Sequence, residues 1–223
     1  MNTLWLSQSV PSSTEVNRVL RNTYFMLSLT LLCSAIFAGI SMRLNGAFFS
    51  PILFLVVILG FPFALQALKN SVWGIVLTFV YTAFMGWAIG PLLNMYIHNF
   101  SNGSQLIMMA LGGTGLIFLG LSAIALNPNR NFFKLAPFIF VGAIVALVLM
   151  LIGFFIQAPA FQIMVSMIFA LLSGAIILFE TNSIIHGGER NYLIATVNLY
   201  VSILNIFLTL LRVLAMFGGN RNN

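Results

Sequence analysis

Seven stretches of about twenty apolar residues follow one another with only short polar breaks between them, and each is the length a helix needs to cross a bilayer. They fall at 22–42, 47–68, 72–93, 105–126, 136–157, 161–182 and 193–217. Backbone amides in hydrocarbon must be satisfied within the segment, so runs of this length are helices. The breaks carry turn chemistry: Arg43 to Gly46, Lys69 to Ser71, Asn99 to Ser104, Asn127 to Lys134, Ala158 to Ala160 and His186 to Asn191. The Ala158–Pro159–Ala160 break is so short that the fifth and sixth spans are antiparallel neighbours. The expected fold is an all-α, polytopic bundle of seven transmembrane helices.

Composition agrees. Of 223 residues, 61% are hydrophobic and 5% charged, against roughly 25% charged in a soluble domain. The net charge of +6 comes from nine basic residues spread singly, which make no patch for nucleic acid. They read as topology signals instead. With the N-terminus inside, Arg18, Arg21, Lys69, Arg130, Lys134 and Arg190 are cytoplasmic, while Arg43, Arg221 and Arg212 lie at the other side. An odd number of spans then puts the C-terminus outside. The expected division is a polar cytosolic tail over 1–17, a membrane domain over 18–217 and a short external tail over 218–223. The tail lacks the apolar core of a cleaved signal peptide. Cys33 is the single cysteine, which excludes an internal disulfide and reads as packing.

One residue stands against this background. Between Glu15 and Glu189 the chain has one acid, Glu180, at the end of the apolar run Phe161 to Phe179. A carboxylate in hydrocarbon costs a few kcal/mol, so such groups usually face a bundle interior or a watery cavity. The next span answers with Asn198, Ser202, Asn205, Thr209 and Arg212, spaced four, three, four and three, on one helical face. Glu180 reads as a cation ligand, with calcium as the candidate ion, or as a proton-sensitive latch. The bland alternative is an acid solvated at the interface or paired with Lys69, His186 or Arg190. The stripe reads equally as interhelical glue or pore lining. Arg212 is expected to snorkel outward, with a gating ion pair as the alternative. His186 reads as a solvated turn residue, with a pH switch as its alternative. Gly86 and Gly90 form a GxxxG step, and Ser166, Ala170 and Gly174 repeat small residues, both marks of close helix approach. Gly112, Gly113 and Gly115 sit in an apolar run and are assigned to packing.

Catalysis finds no footing. His98 and His186 fall on opposite sides of the membrane in this topology, and neither belongs to a cluster with metal-ligand spacing. No nucleophile elbow, dinucleotide or phosphate-loop fingerprint is present, and no lysine sits inside a span. The expectation is a non-enzymatic membrane protein without a resident cofactor.

Several segments resemble a known family. Leu178-Phe179-Glu180, Ile184-Ile185-His186-Gly187-Gly188-Glu189, Leu199 to Phe207 and Leu210-Leu211-Arg212 are similar to the Bax inhibitor-1 family, in its YccA-like bacterial branch. Arg21 to Phe25, Gly90 to Asn94 and Ala110 to Thr114 look like the same branch. The resemblance implies a bundle whose last helix is central and wrapped by the other six. It implies a pH-sensitive calcium leak, with a pair of acids in helices six and seven as the latch. Glu180 matches the first acid; the second falls at Ser202, and a hydroxyl cannot share a titrating proton as a second carboxylate does. Lys69 is the candidate for the basic residue expected at the end of helix two. The branch also implies a bacterial inner-membrane location and a link to the membrane-anchored protease FtsH, with the 1–17 tail as a natural handle. Oligomeric state is left open.

Overall fold

The computed structural model describes residues 13–46, 49–153, 155–156 and 158–220. Most of the 1–17 tail, with Trp5 and Pro11, and Arg221 lie outside these residues. Among the described residues seven helices are long and apolar enough to span a membrane: α1 (Ser13–Arg43), α2 (Pro51–Leu68), α3 (Val72–Asn99), α4 (Gly103–Ala125), α5 (Ala136–Gly153), α6 (Pro159–Ile185) and α7 (Tyr192–Gly218). A single 3-10 turn, Phe133–Leu135, leads into α5. The chain is thus a polytopic all-α membrane protein. The helices sit on the apolar runs with shifted ends: α3 continues six residues past its run, to Asn99, and α1 begins nine residues before its own. Those added turns are polar and project beyond the hydrocarbon stretch.

Helix boundaries follow local chemistry. Ser50 accepts from Leu53 N at 3.2 Å ahead of Pro51 at the first helical position. Ser71 and Asn191 cap α3 and α7 in the same way. α6 ends in a Schellman turn: Gly188 N donates to Ser183 O (2.8 Å) and Gly187 N to Ile184 O (3.1 Å), with Gly187 at φ 73°. A left-handed residue at that position requires glycine.

The C-terminal helix is central. α7 packs against α6, α4, α1 and α3, whereas α2 lies outside on α3 and α5 outside on α6. Four helices, not six, make its principal packing shell. The reason is visible in composition: α2 and α5 are the most uniformly apolar helices and expose nearly their whole circumference to lipid, as Phe63, Phe138 and Phe140 do. α7 instead buries Leu199, Tyr200 and Leu211 completely.

The tightest frame is the α1–α3 pair. A side chain at Gly86 would strike the backbone of Ser34, and one at Gly90 would meet Ser41 and the Ala38 carbonyl. The GxxxG step is therefore a backbone-to-backbone contact. Ser34 also hydrogen-bonds the buried Tyr200 hydroxyl (2.8 Å), joining this pair to α7. The glycines of α4 behave differently. Added methyl groups at Gly112 and Gly115 would meet nothing within 4 Å, so packing accounts for Gly113 alone, against Leu210 at 3.2 Å.

Candidate functional site

The site starts from Glu180, five residues before α6 ends and 4% exposed. Its Oε1 is enclosed by protein and has no hydrogen-bond partner. The Asn198 side chain of α7 stands within hydrogen-bonding reach of the carboxyl, while Asn198 itself is exposed on its other flank. Ser202, one turn along, is buried but turns its hydroxyl back to Asn198 O (2.8 Å). Asn205 is half-buried. Of the predicted stripe, Asn198 is the member brought to the acid.

Among the described residues four further buried polar atoms lack partners: Thr23 Oγ1 and Tyr24 OH on α1, Ser122 Oγ on α4 and Thr181 Oγ1 on α6. They belong to the same end of the bundle. The Thr23 carbonyl accepts from Thr196 of α7 (3.3 Å), the Tyr24 ring packs on Phe118 of α4 (5.9 Å between centroids), and Ser122 lies one turn from Phe118. A buried polar group without a partner costs about 1–3 kcal/mol, so several at one end of a bundle mark a place adapted to something other than stability.

Three connections close over this end. Asn182, fully buried, holds one of them. Its Oδ1 accepts from Phe132 N (2.9 Å), and its Nδ2 donates to Arg130 O (2.8 Å) and Ala125 O (3.3 Å). These bonds clamp the α4–α5 connection onto α6. His186 adds a second clamp, its ring nitrogens facing Asn182 O (2.9 Å) and Pro128 O (3.2 Å), with its edge on Phe133. Asn191 Nδ2 donates to Lys69 O (3.0 Å), fastening the α2–α3 turn to the α6–α7 turn. Lys69 is therefore engaged through its backbone. Arg190 is exposed and bonds Gly187 O (3.4 Å). Among the described residues no ion pair joins Glu180 to Lys69, His186 or Arg190, and no group of three or more His, Cys, Asp or Glu gathers. The interhelical role of Asn182 was not singled out from the sequence. Its partners are backbone atoms some fifty residues away, which leave no signature in a pattern of side chains.

The other end of α7 holds Arg212. The guanidinium, expected to snorkel to the interface, is half-buried and engages α6: Nη1 donates to Gln162 O (3.0 Å) and to the Ser166 hydroxyl. Thr209 donates to Ser166 O (2.9 Å). This half of the stripe is glue between α6 and α7. The chain's final helical residues are tied down beside it, where Asn102 Nδ2 donates to Gly218 O (2.7 Å) and Asn220 N to Asn102 Oδ1 (3.0 Å).

The comparison with known proteins falls on nearly all of this architecture. Residues 16–219 match the family described as inhibitor of apoptosis-promoting Bax1. The chain belongs to the Bax inhibitor-1 family. Its relatives include the modulator of FtsH protease YccA of Escherichia coli strain K12, 44% identical over 200 residues that make up 90% of each chain. An uncharacterised protein of Pseudomonas aeruginosa is 42% identical over 215 residues, 96% of both chains. An uncharacterised membrane protein of Vibrio cholerae is 40% identical over 218 residues, again 96% of both. As a Bax inhibitor-1 family protein, the chain carries its central helix and the buried Glu180 within the matched region.

Proposed function

We propose that this family member is a non-enzymatic modulator of a membrane-anchored, FtsH-type protease, residing in the bacterial inner membrane with its N-terminus cytoplasmic. The observation that carries this reading is the 44% identity, over nine-tenths of both chains, to a protein named for that role. The orientation is supported by the basic residues gathered at the Glu180 end, where Arg18, Arg21, Lys69, Arg130, Lys134 and Arg190 lie. That end, with its three tied connections, is the surface a cytoplasmic protease domain meets. The test is degradation of a membrane substrate by purified FtsH in liposomes. Adding this protein is expected to change the rate at least about twofold; identical rates with and without it contradict the reading.

A second reading has its own observation. The enclosed, partnerless Oε1 of Glu180, with unpartnered hydroxyls at the same end of the bundle, supports a cation (calcium or proton) leak gated at Glu180. Carboxylate and hydroxyl oxygens are the ligands hard cations take, and the exposed flank of Asn198 is the natural way in. The Ser202 position supplies no second acid, so any latch here is a single carboxylate. Reconstituted vesicles test it. Calcium is expected to leak faster than from empty vesicles, with Glu180→Gln altering the pH response; absence of flux at every pH from about 5 to 8 retires the leak.

A further inference from the structure

The second cavity of interest lies at the opposite end of α7 from Glu180. α3 and α6 stand apart over α7 and leave a cleft of about 970 Å³. Arg212 lines it, together with Tyr96 and Gln162, and Met95, Ile163 and Met216 supply apolar walls. Arg212 lies six residues before the end of α7, roughly 9 Å along the axis.

The charge there is unanswered by any side-chain acid. The chain has three acids. Glu180 lies in the last turns of α6, Glu189 in the α6–α7 turn, and Glu15 lines a small cavity with Gly187 and Glu189. All three are at the far end, roughly 21 Å away along α7 when measured from Asn198, which touches Glu180. A guanidinium has five N–H donors. Two contacts from Nη1 go to Gln162 O and Ser166 Oγ, and the Tyr96 hydroxyl is within reach of another donor. Donors remain for the cleft. Arginine at a membrane level carries a cost that a stabilising partner must offset, and its fork matches phosphate or carboxylate oxygens in pairs.

We propose that this cleft is a binding site for an anionic phosphate group, with Arg212 as its counter-charge and the Tyr96 hydroxyl as an additional donor. Two sources share that chemistry, a phospholipid headgroup and a soluble phosphate. The apolar walls suit the first, since Met95 and Met216 are exposed at the mouth of the cleft. The site is independent of Glu180 and of either functional reading above.

The experiment uses the full chain purified in neutral detergent. Native mass spectrometry compares phosphatidylglycerol with phosphatidylcholine, and thermal shift reads inorganic phosphate. Wild type is expected to prefer phosphatidylglycerol by about tenfold, the size of one charge-assisted contact. Arg212→Gln abolishes that preference, and Arg190→Gln, an exposed cation at the other end, leaves it intact. Met95→Trp fills the cleft from an already exposed position and abolishes it without touching the charge, so the test survives if Arg212→Gln fails to fold. Stabilisation by millimolar phosphate as well assigns the soluble source; a lipid preference alone assigns the headgroup. Equal binding of the two lipids with no response to phosphate overturns the proposal, as does a preference that Arg190→Gln removes as effectively as Arg212→Gln.

Discussion

The α6–α7 interface holds one ionisable side chain near each end, Glu180 of α6 and Arg212 of α7, and the two ends treat it in opposite ways. At the Glu180 end the carboxyl is enclosed, Asn182 and His186 clamp the α4–α5 connection across it, and Asn191 ties in the α2–α3 turn. At the Arg212 end the guanidinium lies in a cleft of about 970 Å³ between helices that do not close. The acid has one polar neighbour from α7; the base is held by a backbone carbonyl and a hydroxyl of α6. The difference teaches that α7 links an enclosed carboxyl at one end with an open cationic cleft at the other. Its middle, with Ile203, Ile206 and Phe207 buried, separates them.

The largest expected effect removes the frame on which both ends depend. Gly86→Val drives a branched side chain into the Ser34 backbone and should cost about 3 kcal/mol. A fall in the thermal midpoint of purified protein, with both ends exchanging hydrogen faster, checks it. Asn182→Ala separates the ends. It orphans the Phe132 amide and two carbonyls, at about 2 kcal/mol. Hydrogen exchange should rise over residues 127–135 and stay unchanged near Arg212.

Glu180→Gln keeps the shape and removes the ionisable group, with an expected effect of about 1 kcal/mol that varies with pH. Wild-type and variant midpoints should coincide in acid, where both side chains are neutral, and separate as the pH rises. Curves that run parallel across the range would mean Glu180 does not titrate in the folded protein. Gly112→Ala is the smallest change: its position faces open space, so replacing a helical glycine should stabilise by about 0.5 kcal/mol.

Much of this was legible in the sequence. The seven spans and their breaks follow from hydrophobic length alone, and Gly86 and Gly90 mark a close helix approach whose partner, α1, only the packing reveals. The burial of Glu180 followed from its isolation and from the answering stripe on α7. The glycine pair at 187–188 was visible as a motif, and its reason is the left-handed end of α6. Other features had no sequence signal. The clamp by Asn182 is aimed at backbone groups, which every residue possesses. The direction taken by Ser202 depends on a local choice between its own helix and α6. Snorkelling was the expectation for Arg212 because a long cationic side chain near a helix end usually reaches water; Gln162 O and Ser166 Oγ on the adjacent helix captured it instead. The cleft beside it arises from the divergence of α3 and α6, a property of tertiary packing.

The contrast between a closed end and an open one is tested most directly by thiol labelling in detergent. In a Cys33→Ser background, Thr181→Cys beside Glu180 and Met95→Cys in the cleft are exposed to a charged maleimide. Thr181 is fully buried and Met95 is 43% exposed. The account predicts rapid modification at position 95 and protection at position 181 until the protein is unfolded. Equal labelling rates at the two positions in the folded protein would contradict it.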